Sequence, residues 1–214
     1  LANIFTYACT YENSDFYLNG RTVYHKGVVK GELELQVPGE HNRVNAMAAL
    51  SVALTLGINA KDALASLKTY RGAARRFEYK GKLGKTQIFD DYGHHPAEIR
   101  ATLQAAKEKF PKARICLVFQ PHQYSRTSAL LPQFSTAFGL ADTVIIPNIY
   151  EARDSKKDKA SIDVHGLVAA IGRHHGDVHA GGGVEKTTER VAKITSRYDI
   201  ILTMGAGDVW KVAD

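Results

Sequence analysis

Three short runs constrain this chain most: Arg114 to Phe119, Thr143 to Pro147 and Ile200 to Met204 are almost unbroken Ile, Val and Leu. Strands this uniformly apolar belong in a parallel sheet covered on both faces, because a half-exposed strand alternates instead. Shorter strand patterns at Phe77 to Lys80 and Lys85 to Phe89 precede them. Helical stretches fall between or after them at Pro96 to Phe110, Ser128 to Phe138, Val164 to His174 and Val184 to Ser196. The expected architecture is a Rossmann-like, doubly wound, mostly parallel α/β sheet over residues 73–214. Such sheets bind ligands beyond the carboxyl ends of their strands. Four polar clusters, DDYGHHP, FQPHQYSRT, PNIYEARD and MGAGD, each follow a strand directly. They are expected along one edge of the sheet, as the rim of a site.

Residues 1–72 read differently. From Leu1 to Val37 short β-like runs alternate with turn residues, and Asn19-Gly20 between Phe16-Tyr17-Leu18 and Thr22-Val23-Tyr24 signals a hairpin. Val28-Val29 and Leu33 to Val37 continue in strand style. Asn42 to Leu56, rich in Ala, Leu and Met, predicts a buried helix closed by Gly57. Asn59 then caps a second helix, Ala60 to Thr69. The small, polar stretch Tyr70-Arg71-Gly72-Ala73-Ala74 marks the boundary between two domains.

The net charge of +6 in 214 residues suits an anionic partner, whether nucleic acid, nucleotide or phosphorylated sugar. No basic stripe with interleaved aromatics supports nucleic acid as that partner. Cys9 and Cys116 sit in apolar, strand-like surroundings and are expected as free thiols. LANIFTYACT has no basic leader segment, and the apolar stretch Met47 to Ile58 is too short to span a bilayer. A cytoplasmic protein with no membrane partner is expected.

DDYGHHPAEI delivers two carboxylates, a phenol and two imidazoles at one strand end. Residue types alone leave three readings open there: a metal site, an acid/base site, or a binding loop for something charged. His94, His95 and His122 on neighbouring loops make one candidate metal cluster. Adjacent histidines do not easily turn both rings to one ion, and no cysteine sits at ligand spacing, so no metal is expected here. His174-His175 and His179 are expected as solvated surface. AGGGVEKT lacks the glycines a P-loop requires, having Ala180 and Glu185 in their places, and reads as a turn before a helix. Gly205-Ala206-Gly207 is followed by Trp210 where a dinucleotide fingerprint needs its third glycine. Arg75-Arg76 is either a solvated basic pair or a fork of donors aimed at phosphate. Asn42 and Asn45, at a helix start, are either caps or readers of a base edge.

Six blocks, GEHNRVNAMAAL, AARRFE, DDYGHHPAEI, FQPHQYSRT, YEARD and LTMGAGDVW, occur in the order found in the Mur ligases of peptidoglycan synthesis, and the chain resembles that family over nearly its whole length. The resemblance implies that residues 1–72 are the end of a central ATPase domain and 73–214 a carboxyl-terminal, amino-acid-binding domain. It also implies that the P-loop and the UDP-sugar domain lie outside this sequence, leaving a fragment inactive alone. DDYGHHP, FQPH-x-YSRT and MGAGD point to members that join L-alanine to UDP-N-acetylmuramate through an acyl phosphate, using ATP and Mg²⁺, with the metal ligands expected in the missing part.

By the same resemblance His41, Asn42 and Asn45 lie beside adenine, and Arg76 contacts phosphate. Asp91 grips the ribose, Tyr92 packs near the nucleotide, and Asp90 supports the loop. His94 orients or deprotonates the incoming amine, and Arg126 holds the alanine carboxylate. Gln123 stands where the family often has a second arginine, so it donates hydrogen bonds without charge. Arg153, in YEARD, and the Gly205–Gly207 segment wall the amino-acid pocket. Closure across residues 70–76 and a monomer or weak dimer are also implied. Alternative readings are a Mur ligase adding a different amino acid or peptide, and a non-catalytic nucleotide-binding module.

Overall fold

A computed structural model describes residues 4–10 and 13–214 of the chain, which divides into two compact units, Leu1–Gly72 and Ala73–Asp214. The β-like runs expected from Leu1 onward fall partly on residues outside the described ones.

The first unit is a four-stranded sheet followed by two helices. Its strands are β1 (Tyr7–Ala8), β2 (Phe16–Asn19), β3 (Thr22–His25) and β4 (Val28–Glu32), in that spatial order, with only the β1–β2 pair parallel. The predicted hairpin forms, with Asn19 opposite Thr22 and Gly20 at φ 62, a left-handed backbone that glycine adopts without strain. Leu33 to Val37 forms no strand, contrary to its alternating pattern. Leu33 instead donates its N–H to the Arg21 carbonyl, and Leu33 and Leu35 pack under the helices. Those helices are α1 (Glu40–Thr55) and α2 (Ala60–Thr69), and Asn59 caps α2 as expected, accepting from the Lys61 N–H. Phe16, Leu18, Val23, Met47 and Leu50 form the core between sheet and helices.

The second unit is a six-stranded mixed sheet. In chain order it runs β5 (Glu78–Leu83), β6 (Thr86–Asp91), α3 (Pro96–Lys109), β7 (Ile115–Phe119), α4 (Tyr124–Ala129), α5 (Leu131–Ser135) and β8 (Thr143–Ile146). Then come α6 (Lys156–Ser161), α7 (Val164–Gly172), β9 (Val178–Ala180), α8 (Val184–Ile194) and β10 (Ile200–Met204). The strand order is β5-β6-β10-β7-β8-β9, and all neighbours are parallel except β5 against β6. Alternate residues of each buried strand feed two cores. Leu117, Phe119, Leu202 and Met204 pack with Ile99 and Leu103 of α3 and Leu167 and Ile171 of α7. Cys116, Val118 and Ile201 pack with Val184 and Val191 of α8. Helices therefore cover both faces, which is the doubly wound arrangement the apolar runs predict.

Four details differ from the sequence reading. The single helix expected from Ser128 to Phe138 is two short ones, α4 and α5, broken at Leu130. Pro132 explains the break: it has no N–H to give, and its ring clashes with the carbonyl four residues back, Ser128. Strand β9 and helix α6 are additional; the first has three residues and the second, KKDKAS, no apolar face, so neither carries a periodicity. Helix α8 stops at Ile194 and continues as a 3₁₀ turn, Thr195–Arg197. His175 and His179 are not merely solvated, because both bond to Asp177, which lies between them in the chain. The Asp177 N–H donates to His175 Nδ1 at 3.1 Å, and His179 Nε2 lies 2.6 Å from the Asp177 carboxylate. Both cysteines are free, and burial pushes the Cys116 thiol up to about 12.

Candidate active-site rim

The register puts Asp91, Met204 and Phe119, the last residues of β6, β10 and β7, side by side. The loops that follow them, with the loop after β8, form one continuous edge, as the four polar clusters predict. A single backbone bridge, His122 to Tyr150, ties the β7 and β8 loops together.

At the end of β6 the pleat sends Asp90 and Asp91 to opposite faces. Asp90 is fully buried, and its carboxylate accepts from Arg75 Nε at 2.8 Å and from the Thr203 hydroxyl at 2.6 Å. Arg75 also donates to the Gly205 carbonyl at 2.6 Å, so one guanidinium fastens β6 to the loop after β10. Asp91 is 5% exposed, and both its oxygens accept backbone N–H groups, from Phe77 at 2.9 Å and Gly93 at 2.7 Å. Burial, the largest influence, lifts the Asp91 carboxyl to about 6 against those two donors and the charge of Arg76; Asp90 adds to the rise.

Helix α3 starts in a capping box. The His95 ring nitrogen accepts from the Ala97 N–H, Pro96 takes the first turn, and Glu98 reaches back to accept from the N–H groups of both His94 and His95. Burial works to raise the Glu98 carboxyl, but those two N–H groups with His94 and Arg76 outweigh it and hold it below its usual range. Arg76, half-exposed, lies 4.0 Å from Glu98.

Above this frame the rings form a column. The Arg75 guanidinium lies 5.1 Å from the centre of the exposed Tyr92 ring, Tyr92 meets His94 edge-on at 5.7 Å, and His94 lies 5.7 Å from His122. His122 in turn stacks on Tyr150 at 5.5 Å and 17°. Tyr150 and Gln120 crowd Gly207, where any Cβ would collide with both side chains. Gln120, wholly buried, ties Asn148, Asp208 and the Val209 N–H together.

The β7 and β8 loops hold the remaining predicted residues. Gln123 has φ 72, and its side-chain amide donates to the Ala152 carbonyl at 2.7 Å. Asp154 accepts from the Ser125 N–H and hydroxyl and from the Ala152 N–H, fixing the same junction. Arg126, within the short helix α4, and the exposed Arg153, at φ 60, make no side-chain hydrogen bond or ion pair among the described residues.

In the first unit, Gly39 rather than either asparagine precedes α1, and no side chain caps that helix. The cap reading of Asn42 and Asn45 is thereby corrected: glycine's freedom at φ 99 forms the entry, and the Asn42 amide donates to the Pro38 carbonyl at 2.6 Å. Asn42 and Asn45 line a pocket of about 320 Å³ with Leu35, Val37, Leu67 and Tyr70. His41 is exposed in the first turn of α1 and is not among those lining residues.

The structure thus gathers Arg76, Asp91, Tyr92, His94, Gln123, Arg126 and Arg153 along the rim of the second unit. Asn42 and Asn45 share a pocket of the first. The sequence reading missed Glu98, Gln120 and Asp154, and treated Arg75 only as one of a pair. Glu98 was detectable as the fourth residue of a capping box opened by His95; Gln120 and Asp154 carry no local signal.

The family described as "Mur ligase, glutamate ligase domain" matches residues 75–207. The UDP-N-acetylmuramate–L-alanine ligase of Caldanaerobacter subterraneus subsp. tengcongensis is 42% identical over 192 residues, covering 90% of this chain and 41% of that protein. That of Alkaliphilus metalliredigens is 42% identical over 191 residues, covering 89% and 41%. The chain spans about two fifths of the length of these curated relatives. The crystal structure of the UDP-N-acetylmuramate–alanine ligase of Thermotoga maritima superposes with a TM-score of 0.78 at 26% identity, covering 98% of this chain and 46% of that one. A Mycobacterium tuberculosis folylpolyglutamate synthase, at 18% identity and TM-score 0.69, shares the fold.

Proposed function

Because the chain belongs to the Mur ligase family, we propose that it carries the amino-acid-binding rim and part of the nucleotide site of an enzyme joining L-alanine to UDP-N-acetylmuramate. The observation that carries this reading is Arg126: a part-exposed guanidinium without a side-chain partner among the described residues, on a rim where the buried carboxylates are paired.

The reaction forms an amide from a carboxylate and an amine. ATP supplies the phosphoryl group that activates the muramate carboxylate as an acyl phosphate; the amine then attacks the carbonyl and inorganic phosphate leaves. For this the chain's residues must hold a small zwitterion so that its nitrogen, and not its carboxylate, faces the acyl group. Arg126 takes the carboxylate through paired N–H donors. His94, whose ring nitrogen lies 3.3 Å from the Tyr92 carbonyl, orients the amine and accepts its proton. Arg76 contacts phosphate, Asp91 and Tyr92 meet the ribose, and Gln123 and Arg153 wall the amino-acid pocket. His41, Asn42 and Asn45 serve the adenine, and the lining of the Asn42–Asn45 pocket supports that role: amides for a base edge, one aromatic and several aliphatic side chains for its faces. Mg²⁺ would neutralise charge on the transferring phosphoryl. Among the described residues no group of three His, Cys, Asp or Glu side chains is placed to hold a metal ion. Among the described residues no helix is long and apolar enough to cross a membrane.

The test is phosphate release by the full-length protein, dependent on both UDP-N-acetylmuramate and L-alanine. Arg126→Gln is expected to raise KM for L-alanine about 10- to 100-fold, the loss of one charged hydrogen-bonded contact, with KM for ATP unchanged. Equal effects on both substrates would remove Arg126 from the amino-acid site. A preference for another amino acid or a peptide would reassign the substrate while keeping the chemistry.

A further inference from the structure

Gln123 stands where a second carboxylate-holding arginine is common in the family, yet its amide is committed elsewhere. Nε2 donates to the Ala152 carbonyl, the backbone N–H donates to Tyr150, and the left-handed φ of 72 keeps the residue turned toward that loop. Its neighbour has the opposite character. His122 Nδ1 is buried without a hydrogen-bond partner, while Nε2, equally unpartnered among the described residues, is not buried. The ring cannot easily swing, because it stacks on Tyr150 and abuts His94. Tyr150 is itself backed by Gly207 and bonded through its backbone to Pro121 and Gln123.

These facts decide where the ring keeps its proton. A buried N–H with no acceptor is rarer and costlier in folded proteins than a lone pair without a donor, so the proton sits on Nε2 and Nδ1 is bare. Doubly protonating the ring would restore an orphaned N–H. Burial first, then the nearby His94 and Arg126, also hold His122 below its usual range, with Asp154 alone opposing. The outcome is a neutral imidazole whose one N–H faces outward, close enough to Arg126 to feel its charge.

Building on the amino-acid-ligase reading, we infer that His122, through Nε2–H, is the second donor to the substrate carboxylate held by Arg126, in place of Gln123. A neutral donor suits the site: it fixes the carboxylate's orientation without adding a cation beside the incoming ammonium group. It also leaves His94 as the one imidazole of the pair free to exchange a proton with the amine.

The experiment compares full-length wild type with His122→Phe and His122→Gln, assaying phosphate release with L-alanine and with alaninamide, which lacks the carboxylate. His122→Phe keeps a ring in the stack and removes the donor; it is expected to raise KM for L-alanine about tenfold, with KM for ATP within twofold. His122→Gln, which retains an N–H, is expected to recover part of that loss, and the phenylalanine variant should not impair alaninamide further. In the wild-type protein, ¹⁵N spectroscopy of the histidine rings is expected to report His122 as neutral and protonated at Nε2 near pH 7. Proton occupancy at Nδ1, or an unchanged KM for L-alanine in an active His122→Phe protein, overturns the assignment alone. No amino-acid-dependent turnover by wild type overturns the ligase reading and this assignment with it.

Discussion

Two stretches of the rim, equally polar in sequence, are built on opposite plans. In the loop after β6, the carboxylates are engaged by the fold: Asp90 by Arg75 and Thr203, Asp91 by one backbone N–H on each oxygen, Glu98 by the start of α3. In the loops after β7 and β8, the scaffold is made by uncharged or backbone groups around Asp154, and Arg126, Arg153 and the outer nitrogen of His122 are left without side-chain partners among the described residues. A cluster of ionisable residues at a strand end is therefore not by itself a catalytic cluster. What matters is which groups retain bonding capacity once the loop has been built.

The sharpest way to break this contrast is Arg75→Ala. Removing the partner of a carboxylate that is 1% exposed should destabilise the protein by about 3–5 kcal/mol, read from urea unfolding. A loss under about 1 kcal/mol would mean that Arg75 is surface decoration after all. Next in size is the pH response of Asp91. Its carboxyl is raised in the folded state to about 6, so the unfolded chain releases this proton first as pH climbs. The stability Asp91 contributes is thus fully present near pH 4 and declines as pH rises through 6, by up to about 3 kcal/mol. The stability difference between wild type and Asp91→Asn should follow that slope across pH 4 to 7; a flat difference would show that the loop's N–H groups cancel the burial. The smallest effect is expected at Arg126. Arg126→Gln should change folding stability by no more than about 0.5 kcal/mol, because its side chain has no hydrogen bond or ion pair among the described residues. A larger loss would move Arg126 into the structural class.

Much of this was legible beforehand. Unbroken apolar strands foretold the sheet, and polar clusters at their ends foretold the edge, because both follow from what a doubly covered parallel strand can tolerate. The division of labour within each cluster was not legible. Arg75 and Arg76 are adjacent and chemically identical, and only the folded turn ahead of β5, with Arg75 at φ 56, shows that one meets Asp90 and the other stays half-exposed. Gln123 reads as a weakened ligand, but its role is set by a carbonyl 29 residues away. His122 was weighed only as a metal ligand, since a bare ring nitrogen leaves no trace in a sequence. Helix α6 did leave one: Ser155 and Asp158 form a capping box three residues apart, ahead of a stretch with no apolar stripe to confirm it.

The reversed direction of β5 has a practical corollary. A strand running against its neighbours begins where they end, so the chain enters the second unit at the carboxyl-terminal edge of the parallel strands rather than the opposite one. Trimming that unit back to the first residue of its sheet, Glu78, would retain every strand and still strip away Arg75, Arg76 and the Phe77 N–H that holds Asp91. Cleavage just ahead of Glu78 would therefore leave all six strands in the fragment while removing the contacts that hold Asp90 and Asp91, so the minimal length of this rim is set by its hydrogen bonds, not by its strands.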